Sequence, residues 1–275
     1  MISIQIRTSP RANLTSVLCG LACLIGCWIV VPSKTMAQST VQRDSQALAI
    51  ISQAIATVGS QDLLNSIQDF TETGTVTYYT QDQVTGDATI KTRGSNQFRV
   101  DANLSTGLRT IVVSANSGAM IDAGGSSRPI SGQSAADLPN IMSPYQPLIA
   151  AIQDSSISIF YGGLVTHNGI SAYDIRIQNS FTAAQDPDGT RGAREARDFY
   201  IDSNALLVIA VSDQIHFGSD DMGLLHEIDY SNYQAEAGVL MPLGVSESVG
   251  GTLDCSITIG QVVFNSGLTD NDFSW

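Results

Sequence analysis

Charge is scarce in this sequence, and positive charge scarcer still. Charged residues make up 14% of the 275 positions, with 13 Lys and Arg against 26 Asp and Glu, where ordinary soluble domains carry about 25%. So acidic a surface repels phosphates and anionic headgroups over a Debye length, which argues against nucleic acid as a partner. Ser, Thr, Asn, Gln and Gly must do the solvating, which suits the exposed faces of strands. Cysteine is almost missing too. Of the four present, Cys19, Cys23 and Cys27 lie within the first forty residues, leaving Cys255 alone beyond them. The body of the chain can therefore form no internal disulfide, and its fold rests on its core.

Catalytic motifs are also lacking. There is no G-x-S-x-G elbow and no phosphate-cradling G-x-x-x-x-G-K-[ST]. His226-Glu227 is not followed by a second histidine at zinc-ligand spacing. His167, His216 and His226 read as ordinary strand or turn residues, and Cys255 as an inert thiol on an apolar strand face. Asp186-Pro187-Asp188-Gly189 reads as a solvated turn, because a calcium loop would place its glycine later and add a third acid. The acid pairs Asp220-Asp221 and Glu227/Asp229 read as solvated charges on a hairpin tip and a polar strand face. The sequence is that of a non-enzyme, with no metal and no cofactor implied.

The first 37 residues form a targeting segment. Arg7 and Arg11 supply a positive start, and the uncharged, largely apolar run Val17 to Val31 falls short of the roughly 20 residues that cross a bilayer as a helix. Thr35-Met36-Ala37 offers small residues for cleavage before Gln38. The product would be periplasmic or secreted. Leu24-Ile25-Gly26-Cys27 is an alternative, a lipobox whose Cys27 would tether the protein to a membrane as a lipoprotein. A retained anchor is the third reading. Removing 37 of 275 residues leaves 238, enough for one large domain. The segment takes Arg7, Arg11 and Lys34 and no acid with it, which leaves 10 basic against 26 acidic residues, a net charge of −16.

After a short linker at 38–43, the pattern from Asp44 to Val58 is helical. Ala47, Leu48, Ile51, Ile55 and Val58 recur at three- and four-residue steps, Asp44 or Ser45 can cap the start, and Gly59 ends it. A helical turn is expected around Asp62 to Ile67. Beyond Phe70 the period becomes two. Phe98, Val100, Ala102 and Leu104 alternate with polar residues, as do Tyr173, Ile175 and Ile177, and Leu253, Cys255, Ile257 and Ile259. Each set predicts a strand with one apolar face. Further strands are expected at 73–80, 86–93, 107–115, 118–123, 158–166, 197–202, 205–213, 222–231 and 239–249. Ser126 to Asp154 should interrupt them with a Ser- and Pro-rich stretch ending in an apolar helix, Tyr145 to Gln153. Thr182 to Ala196 should be a polar loop. No repeat of 20–50 residues points to a propeller or solenoid. The predicted fold is mainly β (α+β): an antiparallel curved half-barrel sheet of about eleven strands, with an N-terminal helix and a helical lid on its concave face. It occupies residues 44–275 as a single domain.

These segments resemble the periplasmic lipoprotein carriers and receptors of the LolA/LolB type. The resemblance runs through Ala47-Leu48-Ala49-Ile50-Ile51 to Gly59, Gly74-Thr75-Val76-Thr77, Phe98-Arg99-Val100-Asp101 and Phe199-Tyr200-Ile201-Asp202 followed by Ala205-Leu206-Leu207. It ends on Asp229-Tyr230-Ser231-Asn232-Tyr233, Gly238-Val239-Leu240-Met241-Pro242, Ile257-Thr258-Ile259, Phe264-Asn265 and Asp270-Asn271-Asp272-Phe273. It implies a half-barrel around an apolar cavity, outer-membrane lipoprotein sorting or related transport in the cell envelope, and lipid or lipoprotein acyl chains as ligand. An envelope structural or stress-sensing protein with a protein partner is the alternative, and a monomer is expected. The apolar faces then supply the cavity lining: Phe98, Val100, Leu104, Tyr173, Ile175, Ile177, Phe199, Ile201, Leu253, Ile257 and Ile259. Leu148, Ile149 and Ile152 belong to the lid. Burial of apolar area, at about 25 cal/mol per Å², suffices for such binding without any catalytic group.

Overall fold

The computed structural model describes residues 41–79, 83–115, 117–131, 133–182, 184–216 and 223–275. The expected targeting segment, with Cys27 and the expected cleavage site at Ala37, lies outside the described residues, as does Asp220-Asp221. Among the described residues no helix is long and apolar enough to cross a membrane.

The described chain opens with helices α1 (Ser45–Val58) and α2 (Gln61–Ser66). Six strands follow: β1 (Asp69–Tyr78), β2 (Val84–Arg93), β3 (Gln97–Leu104), β4 (Gly107–Ser114), β5 (Ser117–Ile121) and β6 (Ser127–Ser131). A helical crossover contains α3 (Gln133–Asp137), a 3₁₀ turn at Leu138–Asn140 and α4 (Tyr145–Gln153). Then come β7 (Ile157–His167), β8 (Ile170–Asn179), the short helix α5 (Thr190–Arg194), β9 (Arg197–Asp202), β10 (Val208–Ile215), β11 (Leu224–Glu236), β12 (Val239–Val249) and β13 (Thr252–Phe264).

All thirteen strands form one antiparallel sheet in the order β6-β5-β4-β3-β2-β1-β13-β12-β11-β10-β9-β8-β7. The chain enters mid-sheet at β1 and steps outward to the edge at β6. It then crosses to the opposite edge at β7 and steps back until β13 pairs with β1. The sheet stays open between β6 and β7, so the crossover carries α4 from one free edge to the other. This is the expected half-barrel, with thirteen strands against the roughly eleven expected.

One added strand is β6, which lies in the stretch expected to be loop. Its Pro129 pairs with Ala119, and a residue without an N–H fits a sheet edge. Strand β10 begins later than expected, at Val208. Asp202 Oδ1 accepts the N–H groups of Asn204 and Ala205, and Leu206 takes φ 57°, so these residues form a turn.

Helix α1 forms as its pattern predicts. Asp44 Oδ1 accepts from the N–H groups of Gln46 (2.8 Å) and Ala47 (3.0 Å), satisfying donors that have no partner inside the helix. Ala47, Ile50, Ile51, Ala54, Ile55 and Val58 are buried along one stripe. Isolated helices of this length are marginal in water, and burying each Ile or Val contributes roughly 1.5–3 kcal/mol. Packing on the sheet is thus what holds α1 in place.

Gly74 marks the join where β1 meets β13. Thr73 pairs with Gln261 but Gly74 with Ile259, so Gly260 is looped out as a bulge. A Cβ at Gly74 would overlap the carbonyl oxygen of Thr258. Gly74→Ala should therefore destabilise the fold by about 1–3 kcal/mol, lowering Tm in thermal denaturation by about 2–4 °C per kcal/mol. An unchanged Tm would contradict this register.

Candidate functional site

The sheet face that carries Phe98, Val100, Leu104, Ile175, Phe199, Ile201, Ile257 and Ile259 forms one buried core with α1, α2 and α4. Leu148 and Ile149 of α4 belong to this core, and Tyr173, Ile177 and Ile152 pack against it. Leu253 does not. Glu247 pairs with Cys255 but Ser248 pairs with Leu253, so a bulge at Asp254 switches the alternation. Leu253 thereby turns to the opposite face and is 36% exposed. The reading that placed Leu253 in the lining is corrected.

Among the described residues, the interior between sheet and helices is closely packed. At the seam between α1, α2, α4 and strands β1, β12 and β13 lies a cavity of about 30 Å³, lined by Val58, Leu64, Phe70, Tyr145, Ile149, Met241 and Phe264 among others. That is room for about one water, whereas pockets for drug-sized ligands span roughly 300–1,000 Å³. Of the residues expected to line a cavity, only Ile149 touches this one. The others, Leu253 excepted, are members of the packed core or pack against it.

Two polar ties hold the cover. Arg43, in the segment expected to be linker, donates from Nη1 to the carbonyls of Ala151 (2.9 Å), Asp154 (2.8 Å) and Ile157 (3.1 Å), and from Nη2 to Ile152 (2.9 Å). These carbonyls lie in the last turn of α4 and just beyond it, where a cation also complements the helix dipole. Backbone bonds between Gln42, Asp44 and Ile159 fix this segment to β7. At the other end of α4, Tyr145 Oη accepts from Val208 N–H at 2.9 Å. Periodicity could not reveal Arg43, whose partners are more than a hundred residues away.

One end of the buried face holds a polar network. His226 lies between Asp213 (Nδ1–Oδ1 2.8 Å) and Glu247 (Nε2–Oε1 3.0 Å), and Arg197 pairs with Asp137 and Asp213. Burial alone would lower the His226 pKa, but hydrogen bonds and charge from both acids push it up to about 9. Glu247 would be raised by burial, yet His226 holds it below its ordinary value. Cys255 donates to Glu247 Oε2 at 3.4 Å, and burial with the nearby carboxylate pushes its thiol up, which suits an inert thiol.

On the outer face, His167 stacks on Tyr200 with ring centroids 3.9 Å apart. Its Nε2 lies 3.5 Å from Glu227 Oε2 and 4.0 Å from Asp229 Oδ1. Among the described residues these three are spaced to share a metal ion, with ligand atoms within 4.8 Å of one another. Partial burial raises both carboxyls. The sequence reading had kept His167 apart from the two acids. Asp186 and Asp188 instead accept N–H groups of Arg191, Gly192 and Thr190 at the start of α5.

No protein-family model matches this sequence, and no curated protein matches it. Solved structures do. A LolA superfamily protein from Nitrosomonas europaea superposes with TM-score 0.52 at 9% identity, over 83% of this chain and 97% of its own. The chain has the LolA-like fold. A domain described as outer membrane lipoprotein-sorting protein from Vibrio parahaemolyticus matches with TM-score 0.51 at 12% identity, over 83% and 96% of the two chains. A DUF1329 family protein from Desulfovibrio piger gives TM-score 0.51 at 11% identity, over 83% and 97%. At such identities, likeness to LolA-like proteins establishes architecture alone.

The His226 network makes a pH prediction. A folded pKa of about 9 against an ordinary 6.5 means its stabilisation is complete below pH 6.5 and lost as pH rises through 9. His226→Gln should cost about 2 kcal/mol at pH 6, because Asp213 and Glu247 lose their shared cation in a site still partly open to solvent. The cost should shrink towards pH 9.5 in chemical denaturation. A cost independent of pH would contradict the pairing.

Proposed function

We propose that this protein is an exported, non-enzymatic binder and carrier of lipid or lipoprotein acyl chains, seen here with its helical cover closed. The observation that carries the reading is a LolA-like open sheet whose apolar face lies under helices, with a small apolar cavity at the seam between cover and sheet. The cavity lies where a chain would enter if α4 lifted, and it is walled by side chains from both layers. Away from the His226 network and Glu72 the covered face is apolar, so the binding energy available scales with chain length, at about 0.8 kcal/mol per CH₂ buried. A dozen methylenes would contribute roughly 10 kcal/mol. The Arg43 and Tyr145 hydrogen bonds holding α4 are worth about 1–3 kcal/mol each. A long chain can therefore displace the cover's polar ties, and the helices then close over it.

The filled interior favours a second reading, an envelope protein that binds a protein partner through the same scaffold and carries no lipid. Native mass spectrometry after mild extraction, with uptake of a fluorescent fatty acid, separates the two. Carriage predicts an added lipid mass or saturable uptake. It also predicts that Arg43→Ala, which uncaps α4, speeds uptake several-fold while lowering stability by about 1–3 kcal/mol. A bare polypeptide mass and no uptake by either protein would leave the second reading.

A further inference from the structure

Among the described residues, the buried face contains one carboxyl that nothing pairs. Glu72 of β1 is 0% exposed, and neither side-chain oxygen has a hydrogen-bond partner. Beside it, Thr92 of β2 is 2% exposed and its hydroxyl is also unpartnered. Register places the two as diagonal neighbours, since Glu72 pairs with Ile90 and Phe70 with Thr92. They share the face of Phe70 and Val76, and their flanking partners are Ile90, Val262 and Phe98. Phe70 itself lines the seam cavity, so Glu72 stands two residues further along the same face.

Buried polar groups are almost always hydrogen-bonded, and leaving one unpaired costs the desolvation of that group. Two adjacent exceptions, whose flanking neighbours on that face are apolar, point to a partner other than the described residues. Burial pushes the Glu72 carboxyl up to about 8, so at neutral pH it is an O–H donor with a carbonyl acceptor. Thr92 adds a second donor. An ester or amide carbonyl can accept from both, and an amide N–H can donate to Glu72. A charged headgroup would have to be desolvated in the same apolar layer, which is far more costly.

We propose that Glu72, with Thr92, anchors the polar linkage of an uncharged, ester- or amide-linked acyl chain bound beneath the helical cover. The proposal rests on the carrier reading above and specifies which chains it takes. It also explains why an apolar face keeps a carboxylic acid where leucine would pack more stably.

The test compares a pyrene-labelled fatty-acid methyl ester, the corresponding free acid and a pyrene-labelled alkane as probes in fluorescence titration. Wild type should bind the ester more tightly than the alkane or the acid. Glu72→Leu should raise Tm, weaken ester binding about ten-fold and leave alkane binding unchanged. Glu72→Gln, which keeps a donor and an acceptor, should stay within about three-fold of wild type. Thr92→Val, nearly unchanged in shape, should also lower the ester-to-alkane ratio and serves if the leucine variant does not fold. If wild type binds the probes but these substitutions leave that ratio unchanged, the anchor is overturned and the carrier reading stands. If wild type takes up none of the three, both fall together.

Discussion

An antiparallel sheet that curls without closing has one apolar face that must be covered, and this constraint organises the molecule. Thirteen strands leave free edges at β6 and β7, and the connection between those edges must pass across the molecule. The chain uses that crossing to supply α4, while α1 arrives from the N-terminal side. Neither helix is long enough to be stable alone, so each exists because the sheet needs it. The cover is thus made of two separately delivered pieces, tied by Arg43 at the end of α4 and by Tyr145 at its start. Under the carrier reading, this cover opens while the hydrogen-bond ladder beneath it stays paired.

The two polar features of the covered face follow opposite logic. At His226 every charge has a counter-charge, with Asp213 and Glu247 on either side and Arg197 beyond. Satisfied networks of this kind fix a unique arrangement of the strands that contribute to them. At Glu72 nothing is satisfied, and the carboxyl avoids ionisation by keeping its proton. One feature rigidifies the scaffold, and the other costs it stability. The anchor proposed at Glu72 rests on this difference, a local rule broken without visible compensation in an otherwise consistent fold.

Much of the architecture was legible in the sequence because period-two and period-3.6 patterns are local. Helix α1, with its Asp44 cap and Gly59 stop, and the strands at 197–202 and 239–249 fall where the pattern puts them. The candidate site was less legible. Leu253 continues an unbroken alternation with Cys255, and only the pairing with β12 reveals the bulge that turns it outward. Glu72 was missed because β1 was expected to begin at residue 73, whereas it begins at Asp69. Read from there, Phe70, Glu72, Gly74 and Val76 alternate, and a carboxyl on an apolar face would have stood out. Arg43, His167 and the Asp213–His226–Glu247 row depend on pairings between distant segments, which no local pattern encodes.

The central claim is that α4 forms a cover able to leave a sheet that stays folded. Amide hydrogen exchange followed by mass spectrometry tests it directly, by comparing α4 with β3, whose Phe98, Val100 and Ala102 lie in the buried core. The account predicts that Tyr145–Gln153 exchanges through an opening much less costly than global unfolding, and that adding a long-chain acyl ester alters its protection while β3 remains protected. If α4 exchanges only when β3 does, with the same denaturant dependence and no response to the ester, cover and sheet are one cooperative unit and the account is contradicted.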